Sequence, residues 1–193
     1  MSRRFSIRPS LRLRGRTFKG LRGFSGKPSH PPLTDFPVAA YIFAMVFDVI
    51  SVIAGDDSSI GRELFVSATH VIVAGALVSL FTALTGFWDW LRSTEPGTQA
   101  RRTANWHMTV MITVTLIVLA DIALRIGQWD DGATSGVVAA LSVVAGLLVG
   151  FGAAYGGTLV FDYGFNVETA GDSPVWHQSE RDVMPGEREP VPQ

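Results

Sequence analysis

The sequence contains no cysteine and few charged residues, and both absences narrow what the protein can be. Without a thiol, the chain cannot build a disulfide, a thiolate metal site, an iron–sulfur cluster or a covalent haem attachment from its own residues. Charged residues make up only 17% of its 193 residues, which is low for a soluble domain. The net charge of −1 gives no reason to expect a nucleic-acid partner. The abundant residues are instead apolar, at 47% of the chain, which favours a membrane protein.

Four apolar segments are long enough to cross a bilayer, which takes about 20 residues. They cover residues 36–54, 65–87, 105–126 and 137–161. The links between them are short and rich in polar turn residues, so successive segments are expected to run antiparallel. The sequence therefore predicts an all-α integral membrane protein that folds as an up-down four-helix transmembrane bundle.

Charged residues of opposite sign are concentrated at the two ends of the chain. Residues 1–34 contain nine Lys and Arg residues and no acid, whereas residues 162–193 contain seven acids and two arginines. We predict a basic, flexible N-terminal arm over residues 1–29, a transmembrane domain over residues 30–165 and an acidic, disordered tail over residues 166–193. The basic arm is expected to lie on anionic lipid of the bilayer.

The Lys and Arg residues that flank the apolar segments predict their orientation. One side of the predicted membrane carries Lys19, Arg22, Lys27, Arg92, Arg101 and Arg102, and the other carries only Arg62 and Arg125, among acidic loops. Because the positive side of such a protein stays in the cytoplasm, we expect a multi-pass protein of the inner (plasma) membrane with both termini cytoplasmic. The sequence is compatible with assembly into a larger membrane complex or into a homo-oligomer.

Ionisable residues inside apolar segments are costly in lipid and are therefore functional candidates. Near the predicted outer side lies a polar cluster of Asp48, His70, Asp121 and Arg125. The four-residue spacing of Asp121 and Arg125 predicts an ion pair, with outward snorkelling of the arginine as the alternative. We expect Asp48, His70 and Asp121 to approach one another, or a common water, between helices 1, 2 and 3. In the structural interpretation, Asp48 and His70 form a hydrogen bond that joins two helices.

A second group, His30, Asp35, Asp89 and His107, falls at the predicted cytoplasmic level. We expect His30 and His107 to converge there beside the two aspartates. In the structural interpretation, His30 and the prolines after it form a helix entry with Asp35 as N-cap, and carboxylates orient the imidazoles. Alternatively, the two imidazoles ligate haem b. A third possibility is a metal ion held by all four side chains, since imidazole with carboxylate suits iron, zinc or manganese.

Several motifs together resemble a known family: HPPLTDFPVAA from His30, TGFWDWL from Thr85, RRTANWH from Arg101 and GGTLVFDYGFNV from Gly156. They are similar to a prokaryotic membrane-protein family catalogued as domain of unknown function 2231, over about residues 30–167. The resemblance implies a four-helix inner-membrane protein with histidine positions at His30, His70 and His107. Some relatives are joined to Rieske iron–sulfur modules, which this cysteine-free chain does not contain. Asp35 stands where the family often has histidine.

Three functions follow from these patterns. The main expectation is a non-catalytic membrane subunit or scaffold, because no Ser-His-Asp arrangement, phosphate loop or nucleotide fingerprint is visible. The first alternative is a b-type haem electron-transfer protein that uses His30 and His107. The second is a membrane protein that binds a metal ion through the four histidine and aspartate residues of the cytoplasmic group.

Overall fold

The computed structural model describes residues 10–13, 16–19 and 28–165. The larger part is four helices: α1 (His30–Ala54), α2 (Ser59–Ser93), α3 (Gln99–Gly127) and α4 (Gly136–Phe161). Each of the four is long and apolar enough to cross a membrane. The predicted fold, an all-α membrane bundle of four spans, is thereby confirmed.

An antiparallel hairpin precedes the bundle and was not predicted. Its strands are β1 (Ser10–Leu13) and β2 (Arg16–Lys19), with Ser10 opposite Lys19. The other residues of the expected N-terminal arm, up to residue 27, and the whole of the expected acidic tail lie outside the described residues. Their flexibility stays a prediction.

The first helix begins six residues earlier than expected. Pro31 and Pro32 lie in its first turn, where a missing N–H is tolerated because the first four amides of a helix have no partner within it. The expected start at Phe36 with Asp35 as N-cap is therefore wrong. Asp35 lies in the second turn of α1, and it is exposed. The early start carries His30 into the helix itself.

The starts of α3 and α4 are capped by hydroxyl side chains. Thr98 Oγ1 accepts a hydrogen bond from the Arg101 amide at 3.2 Å, and Ser135 Oγ accepts one from the Val138 amide at 3.4 Å. Such caps satisfy amides that the helix leaves without partners. They explain why each helix begins where a polar loop residue precedes the apolar run.

The helices form a closed ring in chain order. Contacts are most extensive between α1 and α2 and between α3 and α4, and α1 also packs along α4; α2 and α3 touch least. Consequently α1 and α3 face each other across the diagonal. The core is built mostly of small and branched side chains, two from each helix: Tyr41, Ala44, Ala68, Ile72, Val114, Val118, Ala145 and Val149.

Large apolar side chains point away from this core. Phe43, Leu84, Leu116 and Leu147 are each more than half exposed. A soluble protein would bury such residues, whereas a lipid-facing surface accepts them. The distribution agrees with the membrane assignment that helix length and composition give.

Small residues of α2 pack against α1. A side chain at Gly75 would collide with Ala40 and Tyr41, and the Tyr41 hydroxyl lies 2.6 Å from Ser79 Oγ. Thr82 Oγ1 donates to the Leu33 carbonyl at 3.2 Å. Small residues here permit close approach of the two helices.

The glycines of α4 do not all serve the same purpose. A side chain at Gly146 would strike Met45 of α1, and one at Gly152 would strike Met111 of α3. A side chain at Gly150 would meet nothing within 4 Å. Gly146 and Gly150 are spaced as a Gly-xxx-Gly pair, yet Gly146 mediates packing in the bundle and Gly150 does not.

Candidate functional site

The polar residues of the bundle gather at two levels. One level lies near the two-loop end, which holds the α1–α2 link (residues 55–58) and the α3–α4 link (residues 128–135). The other lies near the terminal end, where α1 begins and α4 ends. These levels correspond to the two groups of candidate residues from the sequence, and the structure treats the two groups differently.

Near the two-loop end, Asp48, Asp121 and Arg125 form a charge cluster with no exposed surface. Arg125 Nε donates to Asp121 Oδ1 at 2.7 Å, which confirms the predicted pair. Its two terminal nitrogens donate hydrogen bonds to both oxygens of Asp48, Nη1 to Oδ1 at 3.1 Å and Nη2 to Oδ2. This fork-on-carboxylate geometry is the strongest form of such a pair. Outward snorkelling of Arg125 is excluded because the side chain is enclosed.

Hydroxyl groups from the other elements complete the charge cluster. Thr69 of α2 accepts from Arg125 Nη1 at 3.3 Å. Ser142 of α4 accepts from Nη2 at 3.0 Å and lies within bonding distance of both carboxylates. Thr134 of the α3–α4 link donates to Asp48 Oδ1 at 2.9 Å. All five guanidinium N–H groups thus have acceptors, and the cluster ties every helix to the bundle.

His70 does not belong to this cluster. Its side chain is exposed on α2, with Nδ1 2.8 Å from the Val66 carbonyl one turn earlier and its ring edge-on to Trp129, 6.0 Å between centroids. The expected bond between Asp48 and His70 is therefore wrong. One residue corresponds to 100° of helix rotation, so the inward position belongs to Thr69 instead.

Near the terminal end, His30 and His107 meet across the bundle diagonal. Their ring centroids lie 6.4 Å apart and their planes differ by 80°. His30 Nδ1 is 3.0 Å from the Thr82 carbonyl of α2, and His107 Nδ1 is 2.8 Å from the Gly152 carbonyl of α4. A carbonyl oxygen only accepts, so each Nδ1 carries the hydrogen, and in the neutral ring Nε2 then keeps its lone pair.

Glycines make room for both rings. A side chain at Gly86 of α2 would lie 2.6 Å from Cε1 of His30, too close for any real contact. On the opposite side, one at Gly156 of α4 would lie 3.4 Å from Cε1 of His107. The two histidines therefore rest in recesses of the helices that accept their Nδ1 hydrogens. We use the term histidine pair for His30 and His107 in this arrangement.

The two aspartates do not join the histidine pair as a metal site. Asp35 follows His30 by five residues, which turns it about 140° around α1 onto the exposed face. Asp89 is buried one turn beyond Gly86. Within the described residues, no three histidine, aspartate or glutamate side chains are grouped so that they could hold one metal ion. The structure therefore does not assemble the proposed four-ligand set.

Three hydroxyl residues of the charge cluster were missed by sequence analysis: Thr69, Thr134 and Ser142. Hydroxyl side chains are common in membrane helices, where they bond to their own backbone, so none is conspicuous. A weak signal existed for Ser142, the only serine or threonine between Gly136 and Gly157. The partners of the histidines, Thr82 and Gly152, are backbone carbonyls, which no residue pattern reveals.

Fold and polar sites together define a multi-pass membrane protein built as a single four-helix bundle with an enclosed charge cluster. The chain belongs to the family described as "Predicted membrane protein (DUF2231)", whose model matches residues 26–169. The family resemblance found in the sequence motifs is thereby confirmed. No curated protein and no solved structure matches the chain.

Proposed function

We propose that this protein binds haem b between His30 and His107 and passes electrons within the membrane. The observation that carries the proposal is the geometry of the histidine pair. Two metal–imidazole bonds of about 2 Å, with about 1 Å more from each nitrogen to its ring centre, put two axial imidazole centroids about 6 Å apart. The observed separation is 6.4 Å.

The hydrogen bonds of the rings support the same role. Ligating histidines characteristically donate their second ring N–H to a carbonyl or carboxylate, which fixes the tautomer and the ring orientation. Both members of the pair use Nδ1 in this way, toward Thr82 and Gly152. No residue among 28–165 bonds to either Nε2, so both lone pairs are available to a ligand.

Two further features at the terminal end fit a porphyrin. Ser29 Oγ and Trp88 Nε1 are buried without a hydrogen-bond partner, although each can donate. Ser29 adjoins His30, and Trp88 follows Gly86 by two residues, so both lie near the pair along the chain. Buried donors of this kind suit a ligand that carries carboxylates, as haem does.

A bare metal ion is the weaker candidate for this site. Two imidazoles leave most of the coordination shell of such an ion to be filled, and the described residues offer no third ligand nearby. Haem iron needs only axial ligands from the protein. When bound, haem supplies reversible one-electron chemistry, and the residues of this chain would orient the imidazoles and hold them in the glycine recesses.

The absorption spectrum of the purified protein tests the proposal. Protein expressed with a haem precursor should show a Soret band that changes on reduction with dithionite. His30→Ala and His107→Ala should each weaken haemin binding and shift the band, because each leaves a single imidazole ligand. His70→Ala is the matched control and should leave both unchanged, because His70 lies on an exposed face near the opposite end.

Two results would overturn the haem assignment. One is folded, colourless protein that gains no Soret band on titration with haemin. The other is a band that both His30→Ala and His107→Ala retain unchanged. Either result would leave the non-catalytic subunit or scaffold as the function, with the histidine pair serving to join the four helices.

The orientation proposed here places the histidine pair at the cytoplasmic face. The distribution of Lys and Arg supports it, with both termini and the α2–α3 link inside, in the plasma membrane. Reporter fusions at Asp57 and Asp131 should then report the outside, and fusions at Pro96 and at the C-terminus the cytoplasm. A cytoplasmic signal from Asp131 would reverse the assignment.

The basic arm, residues 1–29, would adjoin anionic lipid on the same face. Binding of residues 1–29 to anionic but not to neutral vesicles would test this.

A further inference from the structure

The charge cluster contains more acid than base. Asp48 and Asp121 bring two carboxyl groups to a single guanidinium, Arg125, and all three side chains are fully buried. Among residues 28–165 no other charged group contacts them: α2 contributes Thr69 and Phe65, α4 contributes Ser142 and the α3–α4 link contributes Thr134. With both acids ionised, the enclosed cluster would hold a net negative charge inside a membrane bundle, which is costly.

The hydrogen bonds of Ser142 show how this charge is balanced. Its oxygen accepts from Arg125 Nη2 and lies within bonding distance of Asp48 Oδ2 and, at 3.0 Å, of Asp121 Oδ2. A serine has one hydrogen and can donate it to only one carboxylate. The second oxygen–oxygen contact needs a hydrogen from the carboxyl side. Both contacts are satisfied without sharing that hydrogen when one of the two acids is protonated.

The surroundings of the two acids indicate which one carries the proton. Asp48 receives hydrogens at both oxygens, from Arg125 Nη1 and Nη2 and from Thr134. Asp121 receives a strong bond only at Oδ1, and its Oδ2 has a long 3.4 Å contact with Nη2. Hydrogen bonds from donors favour the ionised form of a carboxyl group. The contacts thus favour Asp121 as the acid that holds the proton, in which case its Oδ2–H would donate to Ser142 while Ser142 donates to Asp48.

A route connects this proton to the protein surface. Thr134, which bonds to Asp48, also lines an open cavity of about 500 Å³ at the two-loop end, together with Asp56 and Asp131. The order of contacts from the cavity inward is Thr134, Asp48, Ser142 and Asp121. Each hydroxyl can receive a proton at its oxygen and pass on its own hydrogen, so it is unchanged after each transfer.

We propose that Asp121 is a proton-binding site that exchanges its proton with water in the two-loop-end cavity through Ser142, Asp48 and Thr134. In the inner step, Asp121 loses a proton and the Asp48 carboxylate gains one through Ser142, so the charge of the cluster is conserved. The charge changes only when Thr134 passes a proton to water or receives one from it. The site is separate from the histidine pair, because His30 and Asp48 are 18 residues apart on α1, or about 27 Å.

Infrared spectroscopy of the purified protein tests the proton directly. At neutral pH the wild-type protein should show the carbonyl stretch of a protonated carboxyl group, and this band should shift in heavy water. Asp121→Asn should remove it, whereas Asp57→Asn in the exposed α1–α2 link should leave it unchanged. A wild-type spectrum without such a band, or a band that survives Asp121→Asn, would overturn the proposal.

The fold of the Asp121→Asn variant is itself informative. An amide at this position can donate to Ser142 as the neutral acid does, so the variant should fold and keep its thermal stability. If the variant failed to fold, that would show that position 121 needs a charge and would contradict the proposal. The outcome does not depend on haem, since the histidine pair is intact in this variant.

The rate of hydrogen–deuterium exchange tests the route. Thr134→Val keeps the size of the side chain and the backbone bond from the Thr134 amide to Ser51, but it removes the hydroxyl that joins Asp48 to the cavity. Exchange of the carboxyl band should slow by roughly five- to tenfold, the factor that corresponds to one hydrogen bond. The control is Thr113→Val, because Thr113 bonds to its own helix and is exposed. Equal exchange rates in the two variants would rule out the route.

Discussion

The charge cluster and the histidine pair use their hydrogen-bonding capacity to different degrees. In the cluster, every N–H of Arg125 has an acceptor, and none of the three charged side chains is exposed. In the pair, each ring makes its bond to another helix with Nδ1 and leaves Nε2 without a partner among residues 28–165. The cluster thus uses its hydrogen-bonding groups within the protein, whereas the pair keeps one ring nitrogen of each histidine without a protein partner among these residues.

The two sites also differ in what folding requires of them. A buried ion pair adds little net stability when intact. Removal of one partner leaves the other charge buried without compensation, which lowers the free energy of unfolding. The histidine pair needs no compensating charge when its rings are neutral, and the Nδ1–H tautomer of the neutral ring satisfies each carbonyl partner. Substitutions in the cluster should therefore act on the fold, and substitutions in the pair should act on the ligand.

The largest effect is expected from Arg125→Leu. Loss of the guanidinium leaves two buried carboxyl groups with hydroxyl partners only, which should cost about 3–5 kcal/mol of unfolding free energy. Thermal unfolding in detergent, followed by circular dichroism, measures it. Arg62→Leu serves as the control, because Arg62 bonds to loop carbonyls near the surface. A melting temperature for Arg125→Leu equal to that of the control would show that the cluster does not hold the helices together.

The next effect is an asymmetry between the two acids. Asp48→Asn removes the carboxylate that Arg125 grips with both terminal nitrogens, and it should cost about 3 kcal/mol. Asp121→Asn replaces a neutral acid with a neutral amide, and it should cost about 1 kcal/mol or less. Unfolding titrations of both variants give the difference. Equal losses would show that the two carboxyl groups share their charge evenly.

Sequence analysis located the spans and the levels of the polar residues but could not decide which way each side chain points. Asp121 and Arg125 were paired correctly because both lie on one helix, where the spacing alone fixes the contact. Asp48 and His70 were paired incorrectly because the rotation of α2 relative to α1 is set by packing, through Gly75 on Tyr41. The start of α1 was misjudged because a proline pair usually indicates a break, yet it is tolerated in a first turn.

A smaller effect is expected from filling the recess beside the histidine pair. Gly86→Ala puts a methyl group against the His30 ring, and the forced shift should cost about 1–3 kcal/mol and weaken haem binding. Gly150→Ala adds the same methyl group to α4, where nothing lies within 4 Å, so it should not destabilise the protein. Melting temperatures and haemin titrations separate the two variants. Identical haemin affinities would show that the recess plays no part in ligand binding.

The smallest effect on stability is expected from the histidine pair itself. His30→Ala and His107→Ala each remove one inter-helix hydrogen bond and a half-buried ring, which should cost about 1 kcal/mol in the haem-free protein. The same variants should bind haem far more weakly and shift the position of the Soret band, because each leaves the iron with a single imidazole from the pair. The melting temperature of the haem-free variants is compared with their haem content. If the histidine pair is a ligand site, its variants lose haem affinity but keep their fold. If haem-free His107→Ala were instead as unstable as Arg125→Leu, the histidine pair would be a structural clamp like the charge cluster, and the contrast between the two ends of the bundle would disappear.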